Sequence, residues 1–384
     1  MARPNPRFRS VSPAELMAAA AAALAETWGP VRLQPVQALG GSARSDVWRV
    51  RVRAARPLPN APRSLVVKRY RSDNPAPWAR EVSGLEAADD PAIAPHIHGI
   101  LPEAKIVVLE DLGKGSTVAD ALSGHSPSNA ARAVYAWTDT MARLHVRTRD
   151  RGAEFAERLA RRAPLAPAHA VPAMLDTAAT KLEDQLGTLG LHASSGSLEM
   201  LRSLGDTLGL DGRAALSPAD ACPDNNIRRR QGLALIDFEA SEYRHIAWDV
   251  AYLLVPWPSC WSSWRLPDRI ATSAFERYRR QVVHALPYVG TDEFVHDVRL
   301  AVLGWTIATT PWFLPRALTG CDEPAVHPVP SRRAMILHRL ALSTRLGGPA
   351  PLIKLAHVLQ QDLVRRWGEH PLAMAPAFRA YATS

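Results

Sequence analysis

The sequence is short of cysteine. Its 384 residues hold three, Cys222, Cys260 and Cys321, an odd number with none of the paired spacing that zinc sites use. That fits a reducing compartment, the cytoplasm, and neither a disulfide-stapled scaffold nor a structural zinc is expected. No stretch approaches the roughly eighteen uncharged apolar residues of a membrane span, so none is expected. There is no internal repeat and, an alanine run apart, no low-complexity tract. The net charge of +9 comes with no DNA- or RNA-binding motif, and its arginines are spread along the whole chain. A nucleic-acid partner is therefore not expected.

What is present suits a globular protein. Hydrophobic residues make up 47% and charged residues 22%, and 32 prolines imply many fixed loops. The length can bury a sizeable core and favours two lobes. The N-terminal arginines and alanine run raise the question of a leader peptide. Ser12-Pro13-Ala14-Glu15, however, has the form of a capping box with proline at the first helical position, and Glu26 and Trp28 follow. The reading is a surface helix over 12–28.

Residues 36–52 place apolar flanks around Gly40-Gly41-Ser42, then alternate Val47, Arg49 and Arg51 with Trp48, Val50 and Val52. This is a strand, tight turn, strand unit. The turn is open to two readings, an ordinary hairpin or a backbone cradle for a phosphate. Residues 65–70, LVVKRY, read as a third strand carrying Lys68, and 73–90 read as a helix carrying Glu81 thirteen residues later. Residues 106–113, IVVLEDLG, form another buried strand ending in Glu110 and Asp111. Its backbone around Glu110 to Leu112 is positioned to hydrogen-bond an adenine edge. Helices are expected from there on, with a core stripe of Ala130, Val134, Trp137, Met141 and Leu144. His145 is read as structural. Residues 147–170 look polar and arginine-rich, and 174–208 helix-prone with a break at Ser194 to Ser197.

The stretch 216–239, LSPADACPDNNIRRRQGLALIDFE, is the chemical centre of the sequence. Leu233 to Ile236 form a short apolar strand that delivers Asp237, and Asp220 and Asn225 lie on the loop before the hairpin. One carboxylate at a reacting hydroxyl, an amide five residues on and a second carboxylate after a strand give a base and two oxygen ligands for magnesium, which is what phosphoryl transfer needs.

Taken in order, Gly40-Gly41-Ser42, Lys68, Glu81, LEDLG at 109–113, ARLH at 142–145, the Asp220/Asn225 loop and IDFE at 236–239 resemble the aminoglycoside phosphotransferase and choline kinase-like family. The resemblance covers about residues 36–285. It implies an α+β, protein-kinase-like two-lobed fold: a nucleotide-binding lobe over 1–112 with an antiparallel sheet, and a mainly helical lobe over 113–384. It also implies ATP or GTP with Mg²⁺ as cofactors, and transfer of a γ-phosphoryl group to a small-molecule hydroxyl by a monomer or homodimer. Gly40, Gly41, Ser42, Lys68, Glu81, Glu110 and Leu112 would then bind nucleotide, with Glu81 orienting Lys68. Asp220 would be the catalytic base, and Asn225 and Asp237 would hold magnesium.

The family's HGDxHxxN signature reads Pro218-Ala219-Asp220-Ala221-Cys222-Pro223-Asp224-Asn225 here. Both histidines and the glycine are replaced, while Asp220 and Asn225 remain. A different loop conformation, with proline fixing φ, is expected to offset the first histidine. The altered frame leaves a nucleotide-binding pseudokinase as the alternative. Cys222 is read as structural, since no histidine stands near it to activate it. Asp249 is expected in a helix bracing the catalytic turn. Trp257, Trp261, Trp264, Trp305 and Trp312 are open to two readings, core or a stacking wall for a flat acceptor. Residues 240–384 carry 16 basic against 11 acidic residues, which argues for a neutral or weakly charged acceptor over a polycation.

Overall fold

The computed structural model describes residues 12–39, 44–54, 62–230, 232–260, 263–320 and 329–381. A five-stranded antiparallel sheet comes first: β1 Val31–Ala38, β2 Ser45–Ala54, β3 Ser64–Tyr70, β4 Ile97–Leu101 and β5 Ile106–Glu110, in the order β1-β2-β3-β5-β4. The α+β class expected from the sequence holds. Strand β4 was not anticipated, because IHGIL offers neither a long apolar run nor a clean alternation.

Strand alternation explains where the site begins. Leu65 and Val67 of β3, with Val50 of β2 and Ile106 and Val108 of β5, pack on one sheet face against Leu16, Met17, Ala20 and Leu24. The intervening Val66, Lys68 and Tyr70 therefore point to the other face. Pairing of Val47 with Lys68 and of Lys68 with Val107 fixes this register. A one-residue slip would bury Lys68 under the N-terminal helix.

That N-terminal segment is two helices where one over 12–28 was expected, α1 Pro13–Ala22 and α2 Ala25–Trp28. The capping box of Ser12 and Glu15 forms as read. The chain turns at Ala23 and Leu24 because Leu24 is drawn into the core under the sheet. Helix α3, Ala76–Ala88, covers the opposite sheet face with Trp78, Val82 and Leu85, and Glu81 lies on that same inward stripe. The Trp78 indole donates to the Ile106 carbonyl at 3.2 Å and so locks α3 to β5.

The remainder is mainly helical: α4 Val118–Ser123, α5 Pro127–Thr148, α6 Gly152–Arg162, α7 Val171–Leu189 and α8 Ser195–Thr207 precede the catalytic stretch. Helix α6 was missed, since only Phe155 and Leu159 are buried on it and Arg151, Glu154 and Arg158 pair along its surface. Four short strands follow, β6 Ala214–Ser217, β7 Asn226–Arg229, β8 Gly232–Leu235 and β9 Glu242–His245, with β6 paired to β9 and β7 to β8. Then come α9 Ala247–Val250, α10 Asp268–Val282, α11 Asp292–Thr319, α12 Arg332–Leu346 and α13 Ala350–Trp367.

The β6–β9 pairing brings Asp249 behind the catalytic loop. Its carboxylate accepts from Ser217 Oγ and from Arg244 Nη2, both at 2.7 Å, and His145 Nε2 lies 3.3 Å away. Burial opposes its charge, but Arg244 and His145 overcome this and hold the carboxyl well below the usual range. His145 itself is bonded to the Tyr278 hydroxyl at 2.7 Å, deep in the core. Asp249→Ala would leave Arg244 buried beside Glu242 alone. A loss of about 3–5 kcal/mol is expected, read from the urea midpoint. A loss under about 1 kcal/mol would show that the brace contributes little.

Candidate active site

Lys68 is the meeting point of three carboxylates. Its Nζ lies 2.6 Å from Glu81 Oε2, 2.6 Å from Asp237 Oδ1 and 3.6 Å from Glu239 Oε2. Glu81 also accepts a hydrogen bond from the Tyr70 hydroxyl, and Arg44 reaches Glu239 at 3.0 Å. Burial works against the Lys68 ammonium, but Glu81, Asp237 and Glu239 outweigh it and raise its pKa. Burial pushes Glu81 up to about 7 against the pull of Lys68. Glu239 is also raised, by burial first and by Asp237 beside it. Three carboxylates face two cations, Lys68 and Arg44, which leaves a surplus of negative charge that a metal cation would neutralise.

Asp237 arrives at this cluster by a sharp bend. Strand β8 stops at Leu235, two residues short of Asp237, which takes the left-handed φ of 65°. The Ile236 N–H donates to the Asn225 carbonyl at 3.1 Å, so Asn225 and the Asp237 bend are neighbours. Asn225 Nδ2 in turn donates to the Asp220 carbonyl at 2.8 Å and lies 3.4 Å from Asp220 Oδ2. Asp220 Oδ1 accepts from Cys222 Sγ at 2.9 Å and from Ser259 Oγ at 3.0 Å.

The loop is held without the family's histidines. Ala219 occupies the glycine position of the signature with φ of 60°, a conformation costing a residue with a Cβ about 1–2 kcal/mol. Side chains from three elements hold the backbone around it. Ser217 Oγ accepts from Ala219 N at 2.9 Å, Tyr252 donates to the Ala219 carbonyl at 3.1 Å and Trp137 to the Ala221 carbonyl at 3.0 Å. Cys222 is buried, which raises its thiol pKa well above the ordinary value. That suits a packing role better than a nucleophilic one.

A cleft of about 930 Å³ runs between the sheet and this loop. Lys68, Glu81, Glu110, Leu112, Asn225 and Asp237 all line it, with Val47, Val66, Leu109 and Ile227 as apolar walls. Glu110 uses its backbone N–H on the His96 carbonyl at 2.8 Å, closing the β4 edge. Leu112 lines the cleft, and its backbone makes no hydrogen bond to another described residue. Asp111 pins this connection: Arg49 of β2 grips its carboxylate at 2.8 and 3.0 Å and also donates to the Gly113 carbonyl at 3.1 Å. Gly40, Gly41 and Ser42 lie outside the described residues. Asp220 is not part of the cleft wall and stands behind Asn225.

Several participants were invisible in the sequence. Glu239 carried a faint signal, two residues after Asp237, whereas Ser259, 39 residues from Asp220, and the Arg49 grip had none. Of the two readings of the tryptophans, core holds at three positions. Trp257, Trp264 and Trp305 are buried core residues, because the loop before α10 folds inward onto α5 and α11. Trp312 is exposed on α11, and Trp261 lies outside the described residues.

The raised Glu81 carboxyl sets a pH dependence. Folding favours its protonated form, so this contribution to stability is present below about 4.5 and is lost as pH rises through about 7. Glu81→Gln mimics the protonated state. The variant should therefore lose less stability than the wild type between pH 5 and pH 8, by up to about 3 kcal/mol in chemical denaturation. Parallel pH profiles for the two proteins would contradict the shift.

Comparison with known proteins follows the same lines. No curated protein sequence matches the chain. Among solved structures, Plasmodium vivax ethanolamine kinase is 11% identical with a TM-score of 0.49, over 82% of this chain and 82% of its own. Choline kinase LicA from Streptococcus pneumoniae is 15% identical with a TM-score of 0.46, over 84% and 94%. The APH(2")-IIa ternary complex with streptomycin and ATP is 14% identical with a TM-score of 0.46, over 73% and 88%. At these levels the likenesses say nothing about an acceptor. The sequence profile of the phosphotransferase enzyme family, APH, matches residues 35–285, from the first sheet strand through the catalytic loop. With more than half of its length matched, the chain belongs to the phosphotransferase enzyme family.

Proposed function

We propose that this protein transfers the γ-phosphoryl group of ATP or GTP to a hydroxyl of a small, neutral or weakly charged acceptor such as a natural product, nucleoside or sugar. The observation that carries the reading is the Lys68 cluster, one ammonium held by Glu81 and Asp237 in the same cleft as Asn225. Lys68 is aimed along the cleft by Glu81 and meets the α- and β-phosphates. Leu112, at the cleft wall, would meet the base through its backbone. The surplus of negative charge fits magnesium, which Asn225 and Asp237 would hold and which supplies charge neutralisation on the phosphates when bound.

Asp220 orients the acceptor hydroxyl and receives its proton. The hydrogen bonds from Cys222 and Ser259 fix one carboxylate oxygen, so the other, beside Asn225, is the one presented to the acceptor. Catalysis of this kind rests on positioning and on preorganised charge. The excess of basic over acidic residues in 240–384 favours an uncharged acceptor over a polycation. A cytoplasmic setting, with its nucleotide pool and reducing conditions, accords with this reading.

A screen of small hydroxyl compounds with ATP and Mg²⁺, read as the mass gain of one phosphate, identifies the acceptor. Asp220→Ala should lower kcat by about 10²–10⁴-fold while nucleotide affinity is unchanged. Equal turnover by the variant removes Asp220 from the mechanism. Nucleotide binding with no product from any alcohol would mark a pseudokinase instead.

A further inference from the structure

Cys222 and Cys260 are 38 positions apart with no metal-type spacing, yet the fold brings them together beneath the catalytic loop. Both are thiols in buried positions. The two sulfur atoms and a carboxylate oxygen of Asp224 all lie within 4.8 Å of one another. Ligand atoms around a tetrahedral ion with metal–sulfur bonds of about 2.3 Å stand about 3.8 Å apart, so small side-chain rotations close this set around one ion. Asp224 also lines the nucleotide cleft, which gives an entry path from solvent.

A second observation concerns charge. Arg339 of α12 is buried, and its Nη2 has no hydrogen-bond partner among the described residues. Burial pushes its pKa down to about 10, and Cys260 and Cys222 act in the opposite direction.

We propose that Cys222, Cys260 and Asp224 form a binding site for a thiophilic divalent cation of the zinc or cadmium type. Binding exchanges two thiol protons for one M²⁺, forming two metal–sulfur bonds and one carboxylate bond. The local charge is unchanged by the exchange, so the ion adds no repulsion against Arg339. The sulfur ligands separate this site from the oxygen set of Asn225 and Asp237, which suits a hard ion.

Occupation would reach Asp220 directly. Cys222 Sγ donates to Asp220 Oδ1, and metal binding takes away that proton. Asp220 would keep only Ser259 and Asn225 as donors, and the ion would tie its loop to Cys260. This consequence rests on the kinase reading, whereas the binding itself does not.

The test is titration of the full-length, reduced, metal-free protein with Cd²⁺ in weak buffer, following thiolate-to-metal charge-transfer absorbance and proton release together. The expected result is saturation at one ion per chain with two protons released per ion. The band should be lost in Cys260→Ser and in Cys222→Ser, weakened in Asp224→Asn and kept in Cys321→Ser. Absence of the band, or its survival in Cys260→Ser, overturns the assignment. If Cys222→Ser does not fold, the proton count and Cys260→Ser still decide. Loss of phosphoryl transfer at one equivalent of metal, restored in Cys260→Ser, reports the link to Asp220. If the band forms and no transfer is ever found, the kinase reading falls and the metal site stands.

Discussion

The contact on which the rest depends is the grip of Glu81, Asp237 and Glu239 on the Lys68 ammonium. It joins three pieces of chain: strand β3, helix α3 and the bend after β8. At an effective dielectric near 20, each contact of this length is worth a few kcal/mol of gross attraction, and burial consumes much of it. The pair is thus better understood as a positioning device than as a stabilising one. Its surplus negative charge favours a cation, while burial is the first cause of the elevated Glu81 and Glu239.

Two residues at this site carry backbone strain. Ala219 and Asp237, on either side of the Asp220/Asn225 loop, both hold left-handed φ angles without being glycine. Such residues persist only where their surroundings over-determine them. Here Ser217, Tyr252 and Trp137 bond the loop backbone, and Asp249 with Arg244 anchors Ser217 from behind. The missing histidines of the family signature are replaced by a frame built from distant residues. That frame is what keeps Asp220 and Asn225 in register on an altered loop, and it places the cysteine pair directly under it.

Much of the fold was legible because its signals are local. The alternation through β2 and β3, the inward stripe of α3 and α5 and the capping box at Ser12 follow from strand and helix periodicity. Glu81 was legible from its place on a helix thirteen residues after the strand lysine Lys68. The losses have equally definite causes. Strand β4 is histidine-bearing and short, α6 is paired along its surface by arginines, and helix α1 breaks where Leu24 is pulled inward. The tryptophans were ambiguous because an aromatic side chain serves a core and a stacking surface equally well, and only burial separates the two.

The sequence by itself determined which chemistry the chain carries, since the types and order of Lys68, Glu81, Asp220, Asn225 and Asp237 are a covalent fact and phosphoryl transfer needs such groups. Only the tertiary structure decided how they meet. The bend at Asp237, the support of Asp220 by Ser259, the pinning of Asp111 by Arg49 and the approach of Cys260 to Cys222 all join residues tens of positions apart. Such contacts leave no periodic trace in the chain, because they arise from packing of whole elements and not from the preferences of neighbouring residues.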